Sequence, residues 1–276
     1  MTNRQLILAV DQSTSATKAL LVNSKGHIVH RCTENHQQFY PQPDWVEHDP
    51  DEIWENTQTA IRRVLDESRN SPQSIAALAI TNQRETVMVW DRRTGKPVYN
   101  AIVWQCQRGA PACADLRAKG YTERVRQKTG LIIDPYFSAT GIQWILDHVD
   151  GARGKAAAGD LAFGTMDSWL IYQFTGGRVH ATDYSNACRT LLFNIHDLTW
   201  DAELLQLLDI PAQMAPRALP GDALFGHTRK DGLFEREIPV TGVMGDSHAA
   251  LFGQMCFQPG MGKATFGTGS SIMMNI

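Results

Sequence analysis

Apolar residues near the start of the chain come in short runs that end on polar turns. Leu6–Val10 is one such run and Thr17–Val22 the next, each with the length and β-branching of a buried strand. Asn23-Ser24-Lys25-Gly26 marks a turn, and His27–Arg31 alternates as a third strand. The period then changes. Across 49–67, Ile53, Trp54, Thr57, Ile61, Val64 and Leu65 fall on one helical face. Asp49 stands where an N-cap belongs, Pro50 suits the first helical position, and Glu52 completes a capping-box-like pattern. Ile75–Thr81 predicts a strand, and Val87–Trp90 and Ala101–Trp104 predict short strands around the turn-forming Arg92–Pro97. Helical segments follow near 109–128, 138–149 and 165–174. The apolar strand Val240–Met244 then leads through Gly245 and Asp246 into a helix beginning about Ser247. Strands alternating with helices predict an α/β fold built on a mixed sheet.

The end of the chain repeats the opening in outline. Asp11–Ser15 is a polar turn followed by the apolar run Ala19–Val22; Gly267–Ser271 is a small, polar turn followed by Ile272-Met273-Met274. An isolated hairpin is marginally stable. The expectation is therefore one lobe over residues 1–253, with 254–276 as the beginning of a second.

Composition narrows the function classes. The chain has 276 residues, 43% of them hydrophobic and 20% charged, with a formal net charge of -3. That balance argues against a nucleic-acid or membrane-surface protein, which would carry a basic excess. Five cysteines without a C-x-x-C pair give neither a metal framework nor a disulfide scaffold, so free thiols and a reducing, cytoplasmic setting are expected. The apolar run after Met1–Gln5 is too short for a signal peptide or a membrane span.

Several polar groups sit where chemistry is done. Asp11, Gln12 and the hydroxyls of Ser13, Thr14, Ser15 and Thr17 crowd the first turn. Amides and hydroxyls there can surround phosphate oxygens, and a carboxylate can hold a divalent cation. Neither a G-x-x-x-x-G-K-[ST] loop nor a G-x-G-x-x-G fingerprint occurs. Arg84 and Glu85 follow an apolar strand and pair a donor with an acceptor, as a diol requires. Trp104 at a strand end offers a ring face for polyol carbons, and Tyr136 a hydroxyl. Asp246 lies between a strand end and a helix start, where it can take a proton from a hydroxyl. Each also has a plain structural role open to it: a solvated loop, a surface ion pair, core packing, an N-cap. His248 reads as a helix-surface or supporting residue.

The blocks "AVDQSTSATKAL", "YPQPDWVEHDPDEIW", "ITNQRET", "TGLIIDPYFSATGIQWILDHV", "GRVHATDYSNACRTLLFNIH" and "GDSHAALFGQ" closely resemble the N-terminal half of the FGGY carbohydrate kinases, and glycerol kinases in particular. The resemblance implies a ribonuclease-H/actin-like lobe facing a second lobe across a cleft. It implies ATP-dependent phosphorylation of a small polyol or sugar, with ATP and Mg²⁺ as cofactors. Asp246 would be the general base. Arg84, Glu85, Trp104, Tyr136, Asp246 and Ser247 would bind substrate. Asp11, Thr14, Ser15, Ala16, Lys18, Gly267 and Thr268 would lie at the nucleotide, and Asp11 and Asp246 would face the metal. Lys18 stands where these kinases usually carry Arg. Ser247 and Ser271 stand where glycerol kinases carry Gln and Phe, which enlarges one end of the pocket. Adenine and ribose contacts would come mainly from the second lobe, so little turnover is expected of residues 1–276 alone. The implied partner is the small-molecule substrate, with no nucleic acid and no membrane, and there is room for a homodimer. A non-catalytic polyol-binding module is the alternative.

Overall fold

The computed structural model describes residues 6–230, 233–266 and 270–276. Strands β1 (Leu6–Gln12), β2 (Ala16–Asn23) and β3 (Ile28–Asn35) form the expected antiparallel meander. Asp11 and Gln12 belong to β1 and not to the turn, because they continue the ladder opposite Lys18 and Thr17. The turn proper is Ser13–Ser15, closed by the Ser13 amide and hydroxyl, which both donate to the Ala16 carbonyl at 2.9 Å.

The short strand β4 (Glu47–His48) precedes helix α1 (Pro50–Ser68). Asp49 caps α1, accepting from the amides of Asp51 and Glu52. Glu52 does not close a capping box; its carboxylate accepts from the Gln37 amide at 3.1 Å, tying the helix start to the preceding loop. The predicted stripe is buried except for the half-buried Trp54.

Then come β5 (Ile75–Asn82), β6 (Val87–Asp91) and β7 (Ala101–Ile102). The last is shorter than expected, because the Val103 carbonyl accepts from the Cys106 amide and turns the chain. The stretch near 109–128 is two helices, α2 (Ala110–Ala118) and α3 (Thr122–Thr129). Gly120, at φ +82°, takes the left-handed conformation that ends the first. After α4 (Ser138–His148) and α5 (Ala152–Ala157), β8 (Leu161–Thr165) feeds α6 (Met166–Phe174). A stretch of short elements follows: β9 (Ala181–Asp183), α7 (Tyr184–Ala187), β10 (Phe193–Asn194), β11 (Thr199–Trp200), α8 (Ala202–Leu207), β12 (Arg217–Leu219) and β13 (Leu224–His227). The chain closes with β14 (Pro239–Gly245), α9 (Asp246–Gly253) and the hairpin β15 (Gly262–Phe266) and β16 (Ser270–Met274).

The main sheet runs β13-β14-β5-β1-β2-β3, parallel where β14, β5 and β1 meet and antiparallel elsewhere. Leu8, Leu21, Leu78 and Val240 face α1 and α6, packing with Ile61 and Phe174. Helix α9 lies on the other face, where its Ala249 and Phe252 line a hollow with Ala9, Ala79 and Met244. This is the ribonuclease-H/actin-like arrangement. A second, antiparallel sheet, β4-β7-β6-β8, packs its own core of Val87, Val89, Ile142 and Phe163. All five cysteines are free, and among the described residues no helix is long and apolar enough to cross a membrane. Replacing the α1 cap, Asp49→Ala, is expected to lower unfolding free energy by about 1 kcal/mol. Asp49→Asn should lose much less, as read from urea midpoints.

Candidate active site

Three parallel strands end side by side. Gln12 of β1 pairs with Asn82 of β5, and Asn82 with Gly245 of β14. The residues that follow each strand therefore open onto one place, a cleft of about 180 Å³. Every side chain expected to bind polyol lines it: Arg84, Glu85, Trp104, Tyr136, Asp246 and Ser247. Thr14 and Ser271 line it too, as do Gln83, Thr265 and Ser270, which the sequence did not single out. A larger hollow of about 430 Å³ shares no lining residue with this cleft. Its cation, Arg108, is already paired with buried Glu47 and stacked on Trp45 at 4.0 Å. Chemistry, not volume, selects the smaller site.

Arg84 and Glu85 do not pair with each other. Arg84 Nε lies 3.2 Å from Asp246 Oδ1. Glu85, 3% exposed, accepts from Arg189 Nε at 2.6 Å. Its backbone is left-handed, at φ +62°, and the Ser138 hydroxyl donates to its carbonyl at 2.7 Å. Burial pushes the Glu85 carboxyl above the usual range, against the pull of Arg84 and Arg189. Trp104 and Tyr136 meet edge to face, with ring centroids 5.6 Å apart. Burial also raises the Tyr136 hydroxyl, helped by the Glu85 charge. Asp246 is half-exposed, and its Oδ1 accepts from the Ser247 amide at 2.5 Å. Beside it, burial drives His248 down to about 4, with Arg84, Arg189 and Lys263 adding repulsion, so its imidazole is neutral at physiological pH.

The hydroxyl turn is built into the same wall. The Trp104 indole donates to the Thr14 hydroxyl at 3.0 Å, and the Gln38 amide to the Thr14 carbonyl at 3.2 Å. Asp11 and Lys18 form a cross-strand ion pair at 2.8 Å, both part-exposed. Ala16 is the buried first residue of β2, and Ser15 is exposed in the turn before it. Gly267 and Thr268 lie outside the described residues.

A buried polar scaffold backs the site. Asn82 and Asn186 exchange side-chain amide hydrogen bonds at 2.9 and 3.0 Å. Asp183 caps α7, accepting from Ser185 N at 2.8 Å and Asn186 N at 3.0 Å. The Ser185 hydroxyl accepts from the Gly245 amide at 2.8 Å. So α7 grips the ends of both β5 and β14. Behind it, Asp167 is fully buried and raised by burial and by the nearby Asp183 charge.

The model for the FGGY family of carbohydrate kinases, N-terminal domain, matches residues 6–253. The chain belongs to the FGGY family. It is 56% identical to glycerol kinase 1 of Thermotoga maritima over 98% of its own length and 55% of that protein's. It is 55% identical to the glycerol kinase of Symbiobacterium thermophilum, over 99% and 55%. A crystal structure of Plasmodium falciparum glycerol kinase with ADP superposes with a TM-score of 0.93 at 35% identity, covering 98% of this chain and 54% of that one. The chain thus spans about half the length of the relatives it matches.

Within this FGGY lobe, sequence reasoning missed Arg189, Asp183, Ser185 and Asn186. All four lie in the block "GRVHATDYSNACRTLLFNIH", but no local pattern there announces a partner for Glu85 or a clamp on β14. The Glu85–Arg189 pair gives a direct test. Because its pKa is raised in the fold, Glu85 favours the folded state below the ordinary glutamate range, and that contribution is lost as pH rises through the raised value. Arg189→Met removes the cation that offsets this loss. Its unfolding free energy should fall by about 3–5 kcal/mol at pH 8 and by clearly less at pH 5. Adding Glu85→Gln should recover most of the difference in urea titrations.

Proposed function

We propose that this chain is the substrate-binding lobe of a kinase that transfers phosphate from ATP to a primary hydroxyl of a small polyol or sugar, as its glycerol kinase relatives suggest. One observation carries the reading. A half-exposed carboxylate, a buried donor–acceptor pair and a hydroxyl-lined turn converge at three adjacent strand ends.

Each group has a task its geometry supports. Arg84 donates to, and Glu85 accepts from, vicinal hydroxyls, while Trp104 and Tyr136 wall the carbon side. With Oδ1 turned to Arg84 and Ser247, Asp246 keeps a second oxygen to accept the proton of the reacting hydroxyl. Thr14, Ser15, Ala16 and Lys18 present amides, hydroxyls and a cation on the phosphate side, to which Gly267 and Thr268 would add. Asp11 and Asp246 are hard oxygen donors of the kind Mg²⁺ accepts one or two of while keeping several waters. When bound, ATP·Mg²⁺ supplies the phosphoryl group and neutralises the charge that develops on it. Residues 1–253 form the first lobe and 254–276 open the second. The family match ending at 253 and the self-paired hairpin β15–β16 support that division.

Release of ADP by the full-length protein, measured across a polyol panel, tests the function. Asp246→Asn should lower turnover by roughly a hundredfold or more without loss of fold. Binding of polyol with no phosphate transfer would make the protein a binding module.

Substrate length is the finer question. The Ser247 and Ser271 hydroxyls lie 3.4 Å apart at one end of the cleft. Two small side chains there forgo apolar contact with a three-carbon substrate, worth about 1–3 kcal/mol, or ~10–200-fold, per methylene-sized contact. A longer polyol or sugar should therefore show the higher kcat/KM, and Ser247→Gln with Ser271→Phe should shift preference toward glycerol. Native preference for glycerol over every longer polyol would refute this account of the serines.

A further inference from the structure

His30 and Cys32 are two residues apart on β3, so their side chains share one face of the strand. Facing them from the last turn of α1 is Glu67. Its Oε2 lies 3.2 Å from His30 Nε2 and 3.4 Å from Cys32 Sγ, and the three donor atoms all fall within 4.8 Å of one another. Donors in a tetrahedral zinc shell of nitrogen, oxygen and sulfur sit about 3.4–3.6 Å apart. Among the described residues this is the one group of three such donors.

The carboxylate is also held in the pose a ligand needs. Arg63 donates to the other oxygen, Oε1, at 3.1 Å from Nε, and pairs with Glu34 as well. Anchoring one carboxylate oxygen leaves its partner aimed at the histidine and the thiol, the supporting contact that ligating carboxylates usually have. Cys32 is buried and His30 half-exposed, so a cation can enter from the solvent side.

We propose that His30, Cys32 and Glu67 bind a borderline divalent transition cation, Zn²⁺ foremost, clipping the edge strand β3 to the end of α1. The mixed nitrogen, sulfur and oxygen set favours such a cation over Mg²⁺ or Ca²⁺. The event is ligand exchange without redox. The cation sheds water, the thiol gives its proton to solvent, and the thiolate, imidazole and carboxylate take three positions with water in the fourth. Because the thiol must lose its proton to ligate, uptake should strengthen with pH.

The untagged, reduced, metal-free chain, titrated with Co²⁺, tests the site. One equivalent should produce a thiolate-to-cobalt charge-transfer band with tetrahedral d–d absorption, and Zn²⁺ should bleach both. Cys32→Ser should abolish the band, and His30→Ala and Glu67→Gln should each weaken binding at least ~10-fold. Cys188→Ser, at another thiol, should change nothing. Glu67 is exposed, so its variant keeps the test decisive if Cys32→Ser fails to fold. Absence of the band in folded wild type, or affinity unchanged in Glu67→Gln and His30→Ala, would overturn the proposal.

Discussion

Parallel strands that stop at one level bring together whatever follows them. Here the hydrogen-bonded row Gln12, Asn82 and Gly245 fixes that level, with neighbouring strands about 4.8 Å apart. The row is held by the core beneath it. Leu8, Leu78 and Val240 are fully buried, and a one-residue slip would turn each of them to the opposite face. The position of Asp246 relative to Arg84 is thus set by hydrophobic packing on the far side of the sheet. Segments as distant in sequence as the turn Ser13–Ser15 and the start of α9 at Asp246 need no flexibility of their own to meet.

Polar contacts refine what packing establishes. The amide exchange between Asn82 and Asn186, the Asp183 cap and the Ser185–Gly245 contact are buried and mutually satisfied. Such networks are costly when incomplete, and when complete they specify one arrangement. Close approach adds to this. A side chain at Gly245 would lie 2.5 Å from Arg84 Cδ, so the strand end must stay bare for Arg84 to lie across it toward Asp246.

Local pattern carried much of this far. The meander, α1 with its Asp49 cap, α4 and the strand-to-helix passage at Asp246 were legible because each rests on neighbours in sequence. The residues that line the cleft were legible as candidates because polar groups at the ends of apolar strands have few other reasons to be there, and the family blocks aligned them. What escaped notice depends on distance. Arg189 answers Glu85 across the fold, and Glu52 takes the Gln37 amide of the preceding loop and not one of its own helix. The break between α2 and α3 was marked by Gly120, a signal outweighed by the helical residues on both sides.

Glu85 combines two unfavourable states, a carboxylate out of water and a left-handed backbone in a residue other than glycine. The backbone alone costs on the order of 1 kcal/mol. A glycine there would relieve both, and would also leave Arg189 without its acceptor and the cleft with Asp246 as its one remaining carboxylate. Variation at this position is therefore pulled in opposite directions. Wherever the cleft lost its use, position 85 would drift toward Gly or Asn, so the identity of this one residue reports, across related chains, whether that carboxylate is being kept for something other than stability.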